Sequence, residues 1–143
     1  MQYYDYYVRP ENTIIQDIIK AINGEYSAIA CYEQLARMAQ TQVARNQIME
    51  IRNDEIRHYH EFSRIYTSLT GSQPTPQITE ECAPDFNSGS LASFKDEQET
   101  VDFYLEIADK TTDPTIQQSF RRAAADEQNH AVWFLFFLTQ YRF

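Results

Sequence analysis

The apolar residues of this chain recur at alternating steps of three and four, in four separate runs. Side chains so spaced fall on one stripe of an α-helix, the face that a bundle buries. The first run carries Ile15, Ile18, Ile22, Glu25, Ile29, Tyr32 and Ala36, and predicts a helix from a cap at Asn12 or Thr13 to about Met38. Gln40 and Thr41 mark a tight turn, with Thr41 as the next cap. Ile48, Ile51, Glu55, His58, Phe62, Ile65 and Leu69 form the second stripe, which ends near Leu69. A third helix is expected to begin near Ser90 or Ser93 and to run through Phe94, Glu97, Val101, Tyr104 and Ala108. Asp113-Pro114 places an Asp cap before a Pro in the first helical position, so it starts the fourth helix. That stripe is Phe120, Ala123, Glu127, His130, Phe134 and Phe137.

Between the second and third runs the pattern stops. Gly71, Pro74, Pro76, Pro84 and Ser88 break any helix, so residues 70–88 are expected to be one long connection that crosses the length of a bundle. Strand patterns are absent. The expected fold is all-α, an antiparallel four-helix bundle with hairpins over 13–69 and 89–141, a crossover over 70–88 and a Tyr-rich extension over 1–12.

Composition narrows the function. A chain of 143 residues with 43% apolar and 14% aromatic residues suits one folded domain with a core. The formal charge of −9 disfavours nucleic acid and anionic membrane as partners and suits cations. No apolar run approaches the roughly 20 residues of a membrane helix, and Met1 to Pro10 lacks the apolar core of a signal peptide. Cys31 and Cys82 form no C-x-x-C pair, which excludes a thiolate-rich metal site. A bridge between them is open, but reduced thiols in a cytoplasmic protein, with Cys31 a small buried filler, are the simpler expectation.

All four stripes carry charge where apolar residues belong, and the second pair repeats the first. A shift of 72 residues lays Glu25 on Glu97, Ile29 on Val101, Tyr32 on Tyr104 and Ala36 on Ala108. It also lays Asp54 on Asp126, Glu55 on Glu127, His58 on His130 and Phe62 on Phe134. Each half thus contains one Glu-x-x-His, whose two side chains share a helix face about one turn apart. Glu25 and Glu55 are equally far from the turn at position 40, and Glu97 and Glu127 from position 112. Each hairpin therefore brings its glutamates level, about 22 Å from its turn. One Glu-x-x-His by itself also fits a solvated helix face; the duplicated set on core-facing seams does not.

Four ionised carboxylates converging in an apolar core would take up protons or unfold the bundle. Two divalent cations offset them, with neutral imidazoles completing the shell, and mixed oxygen and nitrogen donors suit iron or manganese. Tyr32 and Tyr104 either pack in the core or stand directly behind the ligands. Glu33, Glu50, Glu61, Glu99, Glu106 and His60 lie off the stripes and read as solvated groups.

Glu25-x6-Tyr32, Asp54-Glu-x-x-His58, Glu97-x6-Tyr104 and Asp126-Glu-x-x-His130 resemble the ferritin-like di-iron carboxylate superfamily, in its rubrerythrin-type and bacterioferritin-type branches. The resemblance covers residues 13 to 140 and implies a ferritin-like bundle holding two irons. It implies that Glu55 and Glu127 bridge the metals, with Glu25 and His58 completing one shell and Glu97 and His130 the other. Asp54 and Asp126 would each accept the N–H of the histidine on the opposite hairpin. Two rubrerythrin features are absent: the rubredoxin-type iron–cysteine domain, and a further glutamate three residues from Glu97, where Phe94 and Thr100 stand. The activity implied is oxidation of Fe(II) by O2 or H2O2, with iron storage or a metal-carrying interaction bundle as the alternative. Trp133 to Leu138 is apolar around the whole helix, so a homodimer through this end of helix four is expected, joined by Tyr3, Tyr4, Tyr6 and Tyr7.

Overall fold

The computed structural model describes the backbone of residues 2–140 and the side chains of residues 13–140. Its elements are α1 (Gln2–Met38), α2 (Gln42–Thr70), α3 (Phe86–Lys110) and α4 (Pro114–Gln140). The described residues contain no strand. α1 pairs with α2 and α3 with α4, and the hairpins meet where α1 touches α3 and α2 touches α4.

Local chemistry sets most of the helix ends. Thr41 sits in an extended conformation and its hydroxyl accepts the Ala44 N–H, capping α2. Arg45 donates to the carbonyls of Ala36 and Ala39, which closes the end of α1. Gly71, at φ 74°, ends α2 in the left-handed conformation that only glycine adopts freely. At α4, Asp113 Oδ1 accepts the N–H groups of Thr115 and Ile116, as the Asp-Pro pair leads one to expect.

Two helix starts and one seam position differ from expectation. α1 begins at Gln2, so Asn12 and Thr13 lie inside it. A capping residue type starts a helix only where the chain before it is not already helical. α3 begins at Phe86, because Asp85 accepts the Ser88 N–H and acts as the cap ahead of Ser90 and Ser93. The crossover is thereby shortened to residues 71–85. Leu69 is exposed, since the last turn of α2 runs past the end of the core.

The crossover lies as a strap along α1. Gln77 N–H donates to Asn23 Oδ1 at 2.9 Å and Thr79 N–H to Ser27 Oγ at 2.9 Å. Cys82 is then disulfide-bonded to Cys31, with Cα atoms 5.1 Å apart. The reduced, buried thiol expected of Cys31 is therefore corrected. Asn23, Ser27 and Cys31 are spaced by four along α1, so they form one stripe that receives the strap. The strap delivers α3 to the far end of α1, where Gly89 packs against Leu35 closely enough that a Cβ would lie 2.7 Å from its Cδ1.

The core divides into two apolar clusters. One is built on Ile18, Ile22, Phe62, Ile107 and Phe120. The other is built on Leu35, Ile48, Ile51, Phe134 and Phe137. Tyr104 belongs to the first and Tyr32 to the second. Between them lies a layer of buried charge.

Candidate metal centre

Glu25, Glu55, His58, Glu97, Glu127 and His130 are each at most 2% exposed. Their seam positions make this unavoidable: each replaces an apolar residue in a stripe that the bundle must bury. The six fall into two overlapping groups, Glu25–Glu55–His58–Glu127 and Glu55–Glu97–Glu127–His130. In each group the facing donor atoms lie within 4.8 Å of one another. Glu55 and Glu127 belong to both.

The two histidines turn the same edge inward. His58 Nδ1 is 2.7 Å from Glu25 Oε2 and 3.3 Å from both Glu55 Oε1 and Glu127 Oε1. His130 Nδ1 is 3.4 Å from Glu55, Glu97 and Glu127. Each Nε2 points outward to an aspartate on the other hairpin: His58 to Asp126 at 2.8 Å, and His130 to Asp54 at 2.8 Å. A carboxylate there fixes the tautomer with hydrogen on Nε2 and leaves Nδ1 as the donor to a metal. Arg57 closes this side of the layer, with one guanidinium bonded to Asp54 at 2.9 Å and to Asp126 at 2.8 Å.

The tyrosines stand behind the carboxylates. Tyr32 donates to Glu97 Oε1 at 2.5 Å, so a hydroxyl of the first hairpin reaches a glutamate of the second. Tyr104 faces Glu25 in the reciprocal direction. Burial pushes both phenols well above their ordinary range, and the neighbouring glutamates add to it.

Without a cation this layer is electrostatically costly. Burial pushes Glu25, Glu55, Glu97 and Glu127 above the usual carboxylate range; their mutual repulsion adds to it, and the histidines partly oppose it at Glu25, Glu55 and Glu97. Burial lowers the affinity of both histidines for protons, but the surrounding carboxylates prevail. His58 is pushed up to about 12 by Asp126, Glu25 and Glu55, and His130 to about 9, chiefly by Glu97 and Glu55. Burial also opposes ionisation of Asp54 and Asp126, yet the histidine on each, joined by arginine, holds both below the usual range.

The donor set fits a metal. Glu55 Oε1, Glu97 Oε2, Glu127 Oε1 and His130 Nδ1 are buried with no hydrogen-bond partner. Orphaned buried polar atoms are rare because each costs about 1–3 kcal/mol or more. All four of these face the same small volume, where a cation satisfies them together.

Two acidic residues near the site were not among those expected. Asp96 packs against Glu80 of the strap, and burial followed by repulsion from Glu80 and Glu97 raises it to about 7. The sequence carries a trace of it, since Asp96 precedes Glu97 as Asp54 and Asp126 precede Glu55 and Glu127. The off-stripe group behaves as expected for His60, Glu50, Glu99 and Glu106, all exposed. Glu61 instead accepts the Ser119 hydroxyl at 2.5 Å, and Glu33 pairs with Arg37 and Arg52.

At the end of α4, Phe134 and Phe137 are buried while Val132, Leu135 and Phe136 are exposed. The side chains of Tyr3, Tyr4, Tyr6 and Tyr7 lie outside the described residues. No described helix is long and apolar enough to cross a membrane.

Fold and donor set together define a class, the helical-bundle proteins that hold metal through carboxylates and histidines at mid-bundle. The rubrerythrin family profile matches residues 91–142, the half that carries Glu97, Glu127 and His130. The chain is 54% identical over 140 residues to the uncharacterized protein YhjR of Bacillus subtilis (strain 168), covering 96% of this chain and 97% of that one. A hypothetical protein from Pyrococcus furiosus has the same fold, with a TM-score of 0.77 at 16% identity over 88% of each chain. So does a two-domain protein from Anabaena variabilis containing DJ-1/ThiJ/PfpI-like and ferritin-like domains, with a TM-score of 0.72 at 15% identity. That match covers 92% of this chain and 37% of the other. This chain belongs to one family with YhjR, its residues 91–142 match the rubrerythrin profile, and its fold is that of a ferritin-like domain.

Proposed function

We propose that this protein holds two iron ions between its hairpins and oxidises Fe(II) with O2 or H2O2. The observation that carries the reading is the pair of overlapping donor groups that share Glu55 and Glu127. Six donors, four carboxylate and two imidazole, would supply four protein ligands to each of two positions, because two are shared. Bound iron supplies one-electron redox chemistry next to an oxidant.

The chain's own residues set the conditions. Glu55 and Glu127, common to both donor groups, would hold both ions and offset their charge. Glu25 with His58, and Glu97 with His130, complete the two shells. Asp126 and Asp54 hold the imidazoles through Nε2. Tyr32 keeps a hydroxyl on Glu97, positioned to accompany a proton to or from that carboxylate. The apolar clusters above and below exclude bulk water from the layer. Manganese suits the same donors, and metal analysis of the purified protein separates the two.

Fe(II) oxidation followed by stopped-flow absorbance, with O2 and H2O2 compared, tests the activity. Glu55→Ala and Glu127→Ala are expected to lose it; variants that bind and oxidise iron like the parent would exclude this centre. Iron storage is the second reading, and it requires a shell holding many irons per chain. A small particle with two metals per chain excludes it. The exposed Val132, Leu135 and Phe136 support a homodimer through the end of α4. Phe136→Glu is expected to leave a monomer in sedimentation, and a parent that is itself monomeric removes the dimer.

A further inference from the structure

The two sides of the charged layer differ. Toward α2 and α4, Arg57 and its two aspartates close it. Toward α1 and α3, a cavity of about 110 Å³ runs inward from the strap to the centre. Its outer lining includes Glu80 and Asp96, and its inner lining includes Glu25, Glu55 and Glu127. Glu55 and Glu127, each with a buried carboxylate oxygen that lacks a partner, line the inner end of this cavity.

Gly24 also lines it. A glycine within a helix costs about 0.5–1 kcal/mol relative to alanine. Its φ is not positive, and a Cβ built on it would meet nothing within 4 Å. Neither backbone geometry nor close packing therefore calls for glycine here. What a side chain would do is fill the passage. Lys20, the one cation on the lining, holds its ammonium over the Phe103 ring, 4.5 Å from the centroid.

The geometry points to this cavity as the port through which divalent metal reaches the buried donors, with Glu80 and Asp96 receiving the cation and Gly24 keeping the way open. The inference rests on the metal-centre reading above and adds to it a direction of approach. Carboxylates at a narrow mouth raise the local concentration of cations and their rate of arrival. Because Glu80 is carried by the strap, the Thr79–Ser27 hydrogen bonds and the Cys31–Cys82 bond set its position at the mouth.

The test is the rate at which the metal-free full chain takes up Co(II), read by stopped flow from the visible bands of the bound ion. Glu80→Gln is expected to slow uptake about threefold to tenfold at low salt and to flatten its salt dependence, with equilibrium affinity unchanged. Gly24→Leu is expected to slow it at least about tenfold, while Gly24→Ala, whose methyl group enters open space, loads at nearly the parent rate. If Glu80→Gln and Gly24→Leu both load like the parent, the port is wrong and the centre stands. If the parent takes up no Co(II), the centre and the port fall together. Helix content by circular dichroism separates a blocked variant from an unfolded one. Glu80 lies on the exposed strap, so its variant remains informative if Gly24→Leu does not fold.

Discussion

His58 Nε2 lies 2.8 Å from Asp126 Oδ2, across 68 residues and from one hairpin to the other. The reciprocal bond joins His130 to Asp54 at the same distance. Each histidine is thus held through Nε2 by the opposite hairpin. Asp126→Asn and Asp54→Asn are each expected to weaken metal binding about 10- to 100-fold, because the imidazole loses the charge that fixes its tautomer. Competition against a chelator of known affinity measures this. Wild-type affinity in both variants would show that the aspartates do not tune the site.

The metal-free protein should lose stability as pH rises. Its four buried glutamates have folded values above the ordinary 4.5, so their contribution is complete below 4.5 and is lost as pH climbs through the raised values. The histidines act in the same sense: their contribution is complete below 6.5 and lost toward about 9 for His130 and about 12 for His58. Asp54 and Asp126, with lowered values, oppose this only on acidification through and below 3.8. Melting temperature without metal is therefore expected to fall between about pH 5 and about pH 9. Metal displaces the extra protons, so its apparent affinity should rise over the same range. A flat melting profile without metal would contradict the burial of these charges.

The Cys31–Cys82 bond closes a loop across a separation of 51 residues. Loop-closure entropy for that length amounts to about 4 kcal/mol, and measured values commonly fall at about 2–4 kcal/mol. Reduction, or Cys31→Ser with Cys82→Ser, should lower the unfolding free energy by that amount in denaturant titrations. Helix content should be unchanged, because the helices are held by their seams.

Phe62 and Phe120 stack with centroids 4.2 Å apart, and Tyr104 meets both edge-on. This aromatic group floors the charged layer. Phe120→Ala is expected to cost about 3–5 kcal/mol in the same titrations. A loss under about 1 kcal/mol would mean that the core collapses readily around the missing ring.

The sequence made the seams legible because helical periodicity and capping are local. Ile18, Ile22, Ile48, Ile51, Phe62 and Phe134 repeat at helical spacing, and Thr41 and Asp113 announce their helices by chemistry alone. The six central donors were legible for the same reason, as charge in a place reserved for apolar side chains. The strap was not. Its path depends on hydrogen bonds from Gln77 and Thr79 to Asn23 and Ser27, which carry no period of their own. Cys31 could therefore be read as a buried thiol, and Glu80 as one acid in a loop. Only the partner stripe on α1 hinted otherwise. The Asp85 cap was masked by the serines that follow it.

Arg57 has one further consequence. Its counterpart under the shift of 72 is Asn129, an exposed amide. A single guanidinium therefore serves the aspartates behind both histidines, and among the described residues no second arginine spans both. Arg122 pairs with Asp126 alone. The two donor groups are thus inequivalent despite their matching residue types, since one cation is shared between the aspartates behind them. If both groups take a cation, stepwise loading with unequal and mutually dependent affinities is the expected outcome of that one substitution of arginine for asparagine, and a metal titration followed by calorimetry checks it.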